Sequence, residues 1–247
     1  MKDRRTLFER YGEEIYWSAH PERGQLTPSW REYFEANILP HLPHGKSARI
    51  LEIGCGAGQL LKYLSEQGYA NLSGVDISPE LVRVARQNGL PVEEGEAIHF
   101  LEACSREEFD CIVMIDVLEH IEKQSIPYLL KLIHDRLKPE GCCIIQVPNA
   151  ANPIMGCSSL FKDFTHEILF TEESLCQVLK MAGFENVKVL KPRYKPKTVK
   201  TCLALIWTWV LEQGFKIMFR AYGRPTTTIF SKNLLAIARK ERHGEGL

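Results

Sequence analysis

The chain has 247 residues, 45% of them hydrophobic and 25% charged, and its 31 basic side chains balance 31 acidic ones. This length and composition suit one well-buried domain, or one domain with a small cap. The balanced charge excludes a chain-wide attraction to nucleic acid, so we expect no DNA partner.

The first 45 residues are predicted to form a helical N-terminal cap that cannot make a core alone. Trp30, Phe34 and Ile38 fall near one helical face before the break "LPHGK". The stretch that precedes them alternates charged and apolar side chains and lacks the continuous apolar core of a signal peptide. We therefore expect a cytoplasmic location, either free or at the surface of a membrane.

Residues 46–247 alternate predicted strands and helices. The strand-like runs cover residues 48–54, 72–77, 90–97, 109–115, 142–148, 186–191 and 233–240. Such alternation predicts right-handed crossovers and an α/β fold with a doubly wound, mostly parallel seven-stranded sheet. Ser78 before Pro79 is typical of a helix start, and Gly89 and Gly141 are expected to follow helices in the left-handed conformation.

The eight cysteines are scattered, and none forms a Cys-x-x-Cys pair. Cys111, Cys142 and Cys143 lie in strand-like runs, where thiols usually act as small apolar groups. We therefore expect reduced, structural cysteines and no metal site.

A helical insertion, residues 193–232, precedes the last predicted strand. It contains the apolar run "CLALIWTWVL", which at ten residues is too short to span a bilayer. Six cations and no acid occupy residues 188–200 just before it. Charge beside apolar surface predicts peripheral membrane contact through 188–211. The alternative is a solvated loop followed by a helix packed as a cap or as a homodimer seam.

The stretch "RILEIGCGAGQLLKYL", residues 49–64, places three glycines between a strand and a helix. Glycine allows positive φ and close approach of a ligand, so Gly54, Gly56 and Gly58 suit a loop pressed against a cofactor. Asp76 ends the next strand about 20 residues after the first glycine, where an acid usually pairs with a ribose diol. Both features should meet at the carboxyl edge of the sheet.

The spacing of this turn departs from the dinucleotide fingerprint G-x-G-x-x-G. The third glycine comes one position early, and Gln59 stands where the fingerprint has glycine. Glu52 at the strand end disfavours a pyrophosphate and favours a ligand with a positive group. A strand-end salt bridge is the alternative role for Glu52.

Residues 52–58, with Asp76 following, resemble the E/D-x-G-x-G-x-G signature of class I S-adenosylmethionine-dependent methyltransferases. The likeness continues through "EEGEAIHFL", "FDCIVMIDVLEHI" and "LKPEGCCIIQVPN" and covers about residues 45–192. The closing segment "DFTHEILFTEESLCQVLKMAGFENVKV" is similar to the small-molecule branch, which includes ubiquinone-biosynthesis O-methyltransferases and sugar- and glycan-modifying methyltransferases.

The resemblance implies S-adenosylmethionine as cofactor and S-adenosylhomocysteine as product. It places the glycine turn along the methionine part of the cofactor and Asp76 at the ribose. Glu96 and Ala97 would lie at the adenine, and Ile115 and Asp116 beside the sulfonium. The implied cofactor-binding residues are Glu52, Gly54, Cys55, Gly56, Gly58, Asp76, Ile77, Glu96, Ala97, Ile115 and Asp116.

Two histidines are candidate catalytic bases for a hydroxyl nucleophile. His120 follows the fourth strand and His166 lies in the irregular segment after the fifth. Histidine titrates near neutrality, which suits removal of a proton, although a loop histidine also often holds a helix end or a carbonyl. Asp163 and Glu119 are candidate partners that orient these rings, the alternative being ordinary solvated carboxylates.

The function expected from these features is O-methylation of a small-molecule, lipid-linked or glycan acceptor. The Asn/Asp-Pro-Pro-Tyr/Phe clamp for planar amides and amino groups is missing after the fourth strand, which disfavours base and glutamine methylation. Two alternatives stay open at this point. One is a cofactor-binding scaffold without catalysis, and the other is a nicotinamide-dependent oxidoreductase, which Gln59 disfavours.

Overall fold

The computed structural model describes residues 24–224 and 226–242, together with Phe8, Tyr11, Tyr16 and Trp17. Most of the predicted N-terminal cap before residue 24, and residues 243–247, lie outside the described residues. In chain order the elements are α1 Pro28–Asn37, β1 Arg49–Ile53, α2 Gln59–Glu66, β2 Asn71–Asp76, α3 Pro79–Gln87, β3 Val92–Glu94, α4 Ala97–Ala103, β4 Phe109–Ile115, α5 Ile126–Arg136, β5 Leu137–Pro148, α6 Gly156–Lys162, α7 Glu172–Met181, β6 Asn186–Leu190, α8 Val199–Ala221 and β7 Asn233–Arg239.

The seven strands form one sheet in the order β3-β2-β1-β4-β5-β7-β6. All neighbours pair in parallel except β7, which runs antiparallel to both β5 and β6. The predicted doubly wound, mostly parallel seven-stranded fold is therefore confirmed. The central strands are buried almost throughout, because the crossover connections place helices on both faces of a parallel sheet.

Helix α1 packs on one face of this sheet. Phe34 and Ile38 are buried, as predicted, in the same cluster as Ile50 of β1 and Val113 of β4. Thr27 begins the helix by accepting a hydrogen bond from the backbone of Trp30. The apolar stripe of α1 thus contributes to the core that also supports the central strands.

The prediction that Gly141 follows a helix in the left-handed conformation is wrong. Helix α5 ends at Arg136 and β5 begins directly at Leu137, so Gly141 lies inside the strand and does not have positive φ. Glu140 takes the left-handed conformation instead, with φ 63°. A Cβ atom on Gly141 would lie 2.8 Å from the carbonyl oxygen of Lys138, so close approach of the backbone explains the glycine. Gly89 has the predicted positive φ, 75°.

Helix α8 lies in the predicted insertion between β6 and β7. It is 23 residues long, and among the described residues it is the one helix long and apolar enough, by length and composition, to cross a bilayer. The helix is therefore more than twice as long as the ten-residue apolar run, and the prediction that this element is too short to span a bilayer does not hold for the whole helix. Residues 199–211 are exposed, whereas the second half of α8 packs through Phe215 and Phe219 against Phe230.

Candidate active site

The three glycines form the bend between β1 and α2 that their spacing predicts. Gly54, Gly56 and Gly58 have φ of 66°, 52° and 83°. The amide of Gly54 donates to the carbonyl of Val75 at 2.7 Å, which ties the bend to β2. A residue with a Cβ atom would be strained at each of these glycines, because L side chains rarely adopt such φ.

Asp76 lies directly beside this bend. Its Oδ2 accepts a hydrogen bond from the amide of Gly56 at 2.7 Å, and its Oδ1 accepts one from the amide of Ser78 at 2.9 Å. The carboxylate is buried, which raises its pKa, while the two amide donors act in the opposite direction. The structure therefore brings together the glycine bend and the strand-end acid, which are far apart in sequence.

Glu52 is a buried carboxyl group at the end of β1. Its side-chain Oε2 has no hydrogen-bond partner among the described residues, and no salt bridge to it is found there either. Burial raises the pKa of Glu52, and the nearby Asp76 raises it further. The hydroxyl of Ser78, which begins α3 before Pro79, is likewise buried without a partner and makes no capping bond. A ligand with donor groups and a positive charge would satisfy both atoms.

A cavity of about 710 Å³ opens at this edge of the sheet, within the size range of small-molecule sites. The predicted site residues that line it are Glu52, Gly54, Cys55, Gly56, Asp76, Ile77, Glu96, Ala97, Ile115, Asp116, His120 and His166. Gly58 does not line it. A Cβ atom on Gly58 would lie 2.2 Å from a methyl group of Leu90, so this glycine allows the bend to pack against the loop before β3.

Aromatic residues of the N-terminal segment also line the cavity, and the sequence reasoning missed them. Tyr16 exchanges hydrogen bonds with Gln59, at 3.0 and 3.2 Å, and its hydroxyl would lie 3.1 Å from a Cβ atom on Gly56. Phe8 and Tyr11 lie against the ring of His120 at centroid distances of 6.3 and 5.9 Å. The aromatic residues in "FERYGEEIYW" are the only sequence signal for these contacts.

The two candidate bases lie next to each other in the lining of the cavity. The rings of His120 and His166 lie 4.6 Å apart between centroids, at an interplanar angle of 67°. His166 approaches the carbonyl oxygen of Ser159 with its Nδ1 at 2.6 Å. Because a carbonyl only accepts, Nδ1 of His166 carries hydrogen and Nε2 is the proton acceptor of its neutral ring.

A hydrogen-bonded chain connects His120 to Asp163 through Thr165. The Thr165 hydroxyl donates to Asp163 Oδ1 at 2.6 Å, and His120 Nδ1 lies 2.8 Å from the same hydroxyl oxygen. Since the hydroxyl hydrogen is directed to Asp163, Nδ1 of His120 is the donor to Thr165 and Nε2 is the acceptor atom of the neutral ring. The backbone of Thr165 and the hydroxyl of Tyr11 also donate to Asp163.

Neither orienting carboxyl group is solvated, so the solvated alternative is wrong for Asp163 and for Glu119. Burial acts to raise the pKa of Asp163, but hydrogen bonds from Thr165 and the charges of the two histidines bring it below its usual range. Burial, and then the charge of Asp116, raise the pKa of Glu119 well above its usual range. The side-chain Oε2 of Glu119 has no hydrogen-bond partner among the described residues.

Glu119, His120 and His166 bring one potential ligand atom each within 4.8 Å of one another. Two imidazoles and a carboxylate are also a donor set that divalent metals accept. The predicted absence of a metal therefore needs its own test.

The fold and site define a class: an α/β domain with a cavity at the carboxyl edge of its sheet, lined by a glycine bend, a strand-end acid and two candidate bases. A family model described as a methyltransferase domain matches residues 26–189. The chain belongs to this methyltransferase domain family, and the class of enzyme is an S-adenosylmethionine-dependent methyltransferase.

Three similar proteins illustrate the match. The ubiquinone biosynthesis O-methyltransferase of Xylella fastidiosa (strain M23) is 35% identical over 144 residues, which cover 54% of each chain. A SAM-dependent methyltransferase from Archaeoglobus fulgidus aligns with TM-score 0.63 and 21% identity, covering 96% of this chain and 100% of its own. Phosphoethanolamine N-methyltransferase 2 of Haemonchus contortus, crystallised with S-adenosyl-L-methionine, aligns with TM-score 0.69 and 16% identity, covering 95% and 60%. The chain spans about half the length of the curated relatives that it matches.

S-adenosylmethionine is the cofactor of this class, and the residues present fit it. The orphaned carboxyl oxygen of Glu52 suits its ammonium group or sulfonium charge, and the carboxylate of Asp76 suits a ribose diol. Gly54 and Gly56 add no side chain of their own here, and the side chains of Val117 and Tyr16 lie against them. The nicotinamide alternative finds no support in the family match.

Proposed function

We propose that this protein transfers the methyl group of S-adenosylmethionine to a hydroxyl oxygen of a small-molecule or lipid-linked acceptor. The proposal is supported by the family match and by the similar proteins named ubiquinone biosynthesis O-methyltransferases. The observation that carries it is the chain Asp163–Thr165–His120, which fixes Nδ1 of this cavity-lining histidine as a hydrogen-bond donor and leaves Nε2 as the basic nitrogen of the ring.

The cofactor supplies a methyl group on a good sulfur leaving group, so the protein mainly has to align the reactants. As the new O–CH₃ bond forms and the S–CH₃ bond breaks, the acceptor hydroxyl loses its proton to Nε2 of His120. The ionised carboxylate of Asp163, acting through Thr165, holds the His120 ring with Nδ1 protonated and stabilises the positive charge that the ring gains.

The rest of the acceptor side shapes the pocket around that base. His166 packs edge-on against His120, and its Nδ1 is held by the carbonyl of Ser159. Burial raises the pKa of Glu119, which favours its protonated form, and that form donates a hydrogen bond to an acceptor oxygen. Phe8 and Tyr11 close the apolar wall beside His120, which suits a ring or chain that carries the reacting hydroxyl.

A methyl-transfer screen tests the proposal. Release of S-adenosylhomocysteine is measured over quinol precursors, small phenols, and glycan and polyprenyl-linked hydroxyl compounds. With the best acceptor, His120→Ala should lower kcat by about 10²–10⁴-fold, because a positioned base contributes that much. The cofactor Kd should stay within about twofold. His44→Ala changes an exposed histidine outside the cavity and serves as the matched control.

Two outcomes would contradict the proposal. Cofactor binding without transfer to any hydroxyl compound would favour the scaffold role, and equal turnover of His120→Ala and His44→Ala would remove the base. A chelator arm tests the metal question. Both Nδ1 atoms are hydrogen-bonded, so a metal could bind these histidines only through their Nε2 atoms. Full activity in EDTA is the result expected if Nε2 of His120 acts as the base. Loss of activity that Mg²⁺, Mn²⁺ or Zn²⁺ restores would make the histidines ligands.

A further inference from the structure

The first half of helix α8 is an apolar rod that the domain leaves uncovered. Every residue from 199 to 211 is exposed. Trp207 and Trp209 are 68% and 59% exposed, and they point to nearly opposite sides because successive helical residues turn by about 100°. Leu203 and Ile206 are similarly exposed. This segment is therefore apolar around most of its circumference.

A protein partner does not explain this distribution well. A helix that packs in a dimer seam needs one apolar stripe and keeps polar residues on its opposite face. Residues 201–211 contain no charged side chain on any face. A helix that is apolar all round is typical of one surrounded by hydrocarbon, either in a protein core or in lipid.

Both ends of the exposed segment are tied to the domain. Before it, Lys197 pairs with Glu32 of α1 at 3.0 Å, and the backbone of Arg193 exchanges two hydrogen bonds with the Asn37 side chain. After it, the buried Glu212 pairs with Lys191 at 2.5 Å. A segment held at both ends cannot thread across a bilayer while the domain stays folded, so it can enter lipid from one side only.

The uncharged segment is held along the membrane surface. Eleven helical residues, 201–211, extend about 16 Å. Because both ends are tied to the domain, this length lies in the plane of the membrane, and the helix enters the boundary of headgroups and acyl chains from the side of one leaflet.

The charges around α8 favour an anionic surface. Residues 188–224 contain nine Lys and Arg and one acid, Glu212. Ion pairs occupy Lys191, Lys195 and Lys197, so acids elsewhere in the chain compensate part of this positive charge. Within the described part of the chain, Lys200 before the segment and Lys216 after it have no ion-pair partner. Cations beside a membrane-facing segment each contribute about 1 kcal/mol at an anionic surface.

From these observations we propose that residues 201–211 of α8 insert into one leaflet of an anionic membrane, with Lys200 and Lys216 at the headgroups. The domain is then held at the surface as a peripheral protein. This inference goes beyond the proposed methyl transfer and does not depend on it.

Vesicle flotation of the full chain tests the insertion. We expect binding to vesicles of phosphatidylcholine with phosphatidylglycerol, and weaker binding to phosphatidylcholine alone. Trp207→Glu with Trp209→Glu should weaken binding by at least about tenfold, because carboxylates are costly in hydrocarbon. Met181→Glu changes an exposed apolar residue on α7 and should bind like the unchanged protein. Lys200→Glu should weaken binding to the anionic vesicles, with Lys180→Glu on α7 as its control.

Thermal unfolding and cofactor Kd, measured on the same preparations, show that each variant is folded. These readouts also separate failure of membrane insertion from failure of the proposed methyl transfer. In vesicles made with lipids whose acyl chains carry bromine, the fluorescence of Trp207 and Trp209 should be quenched, because both rings would reach the hydrocarbon. Three results would overturn the inference: no binding of the unchanged protein to either vesicle, binding without quenching, or a dimer in solution that the double Trp variant converts to monomers.

Discussion

The cofactor side and the acceptor side that we propose for the cavity are built in different ways. The cofactor side depends on backbone: the bend at Gly54–Gly58, amides that donate to Asp76, and two strand ends that the sheet register brings together. The acceptor side depends on side chains from distant segments, with His120 after β4, Thr165 after α6 and Tyr11 near the N-terminus. A site formed by backbone groups can be shared by a whole family, whereas a site formed by side chains from distant segments can change with each acceptor.

The electrostatics of the two sides differ in the same manner. On the cofactor side, Glu52 is buried without a cation among the described residues, and its pKa is raised. On the acceptor side, Asp163 receives hydrogen bonds from Thr165 and Tyr11, and its pKa is lowered. One carboxyl oxygen of Glu52 is thus left without a hydrogen bond among the described residues and suits a positive ligand, whereas Asp163 already receives several hydrogen bonds and positions a neighbour. Three experiments can break or sharpen this contrast.

The largest expected effect is on cofactor binding. Asp76→Ala removes a carboxylate that is expected to accept two ribose hydroxyl bonds, and hydrogen bonds to charged groups contribute about 1.5–3 kcal/mol each. We expect calorimetry to show S-adenosylhomocysteine binding at least about 100-fold weaker. Glu93→Ala, at the exposed edge strand β3, is the matched control. Unchanged affinity, or tight NADH binding by the unchanged protein, would reject the assignment of this side.

A smaller effect is expected from the relay on the acceptor side. Thr165→Val keeps the shape of the side chain but breaks the link from Asp163 to His120, so kcat should fall about tenfold while the cofactor Kd is unchanged. Thr165→Ser restores the hydroxyl and should recover most of the rate. If Val and Ser have the same kcat, Thr165 only fills space.

The smallest effect concerns stability and pH. The folded-state pKa of Glu52 is raised, so its contribution to stability is present below its unfolded pKa and is lost as pH rises towards the folded value. Glu52→Gln should therefore be more stable than the unchanged apoprotein by about 1 kcal/mol at about pH 8, or about 2–4 °C in Tm. The gain should shrink towards about pH 5.

Asp163→Asn provides the opposite sign. The pKa of Asp163 is lowered, so its contribution is present above its unfolded pKa and is lost as pH falls through the folded value. We expect Asp163→Asn to be less stable at neutral pH, with a difference that narrows only in acid. Parallel pH curves for the two variants would contradict the contrast between the two sides.

The cofactor side could be predicted from sequence because its requirements are local. Positive φ demands glycine, and a strand end followed by a helix positions Asp76 without any knowledge of distant residues. Local patterns gave a wrong prediction where packing determines the conformation. Gly141 does not have positive φ, and the close approach of the Lys138 carbonyl explains why glycine occupies this position. Gly89 and Gly141 both follow a helical pattern and lie near a proline, so the sequence alone does not distinguish the left-handed glycine from the one inside a strand.

The acceptor side was predicted only in part. His120 and His166 were singled out by residue type, but nothing local showed that their rings meet or that Thr165 stands between His120 and Asp163. The burial of Glu119 and the approach of Tyr16 to Gly56 depend on segments that are distant in sequence. Such contacts follow from tertiary packing, which single-sequence patterns do not encode.

Helix α1 has a consequence for how an amphiphile would reach the catalytic centre. One face of α1 supplies Trp30 and Phe34 to the cavity wall, and Glu32 on the same helix holds the base of α8. The ten residues of α1 extend about 15 Å, so the bilayer surface and the cavity would be separated by a fixed, short gap. A long-chain substrate could then present its polar head for methylation while its tail stays dissolved in the lipid, and it would not need to leave the bilayer between encounter and release.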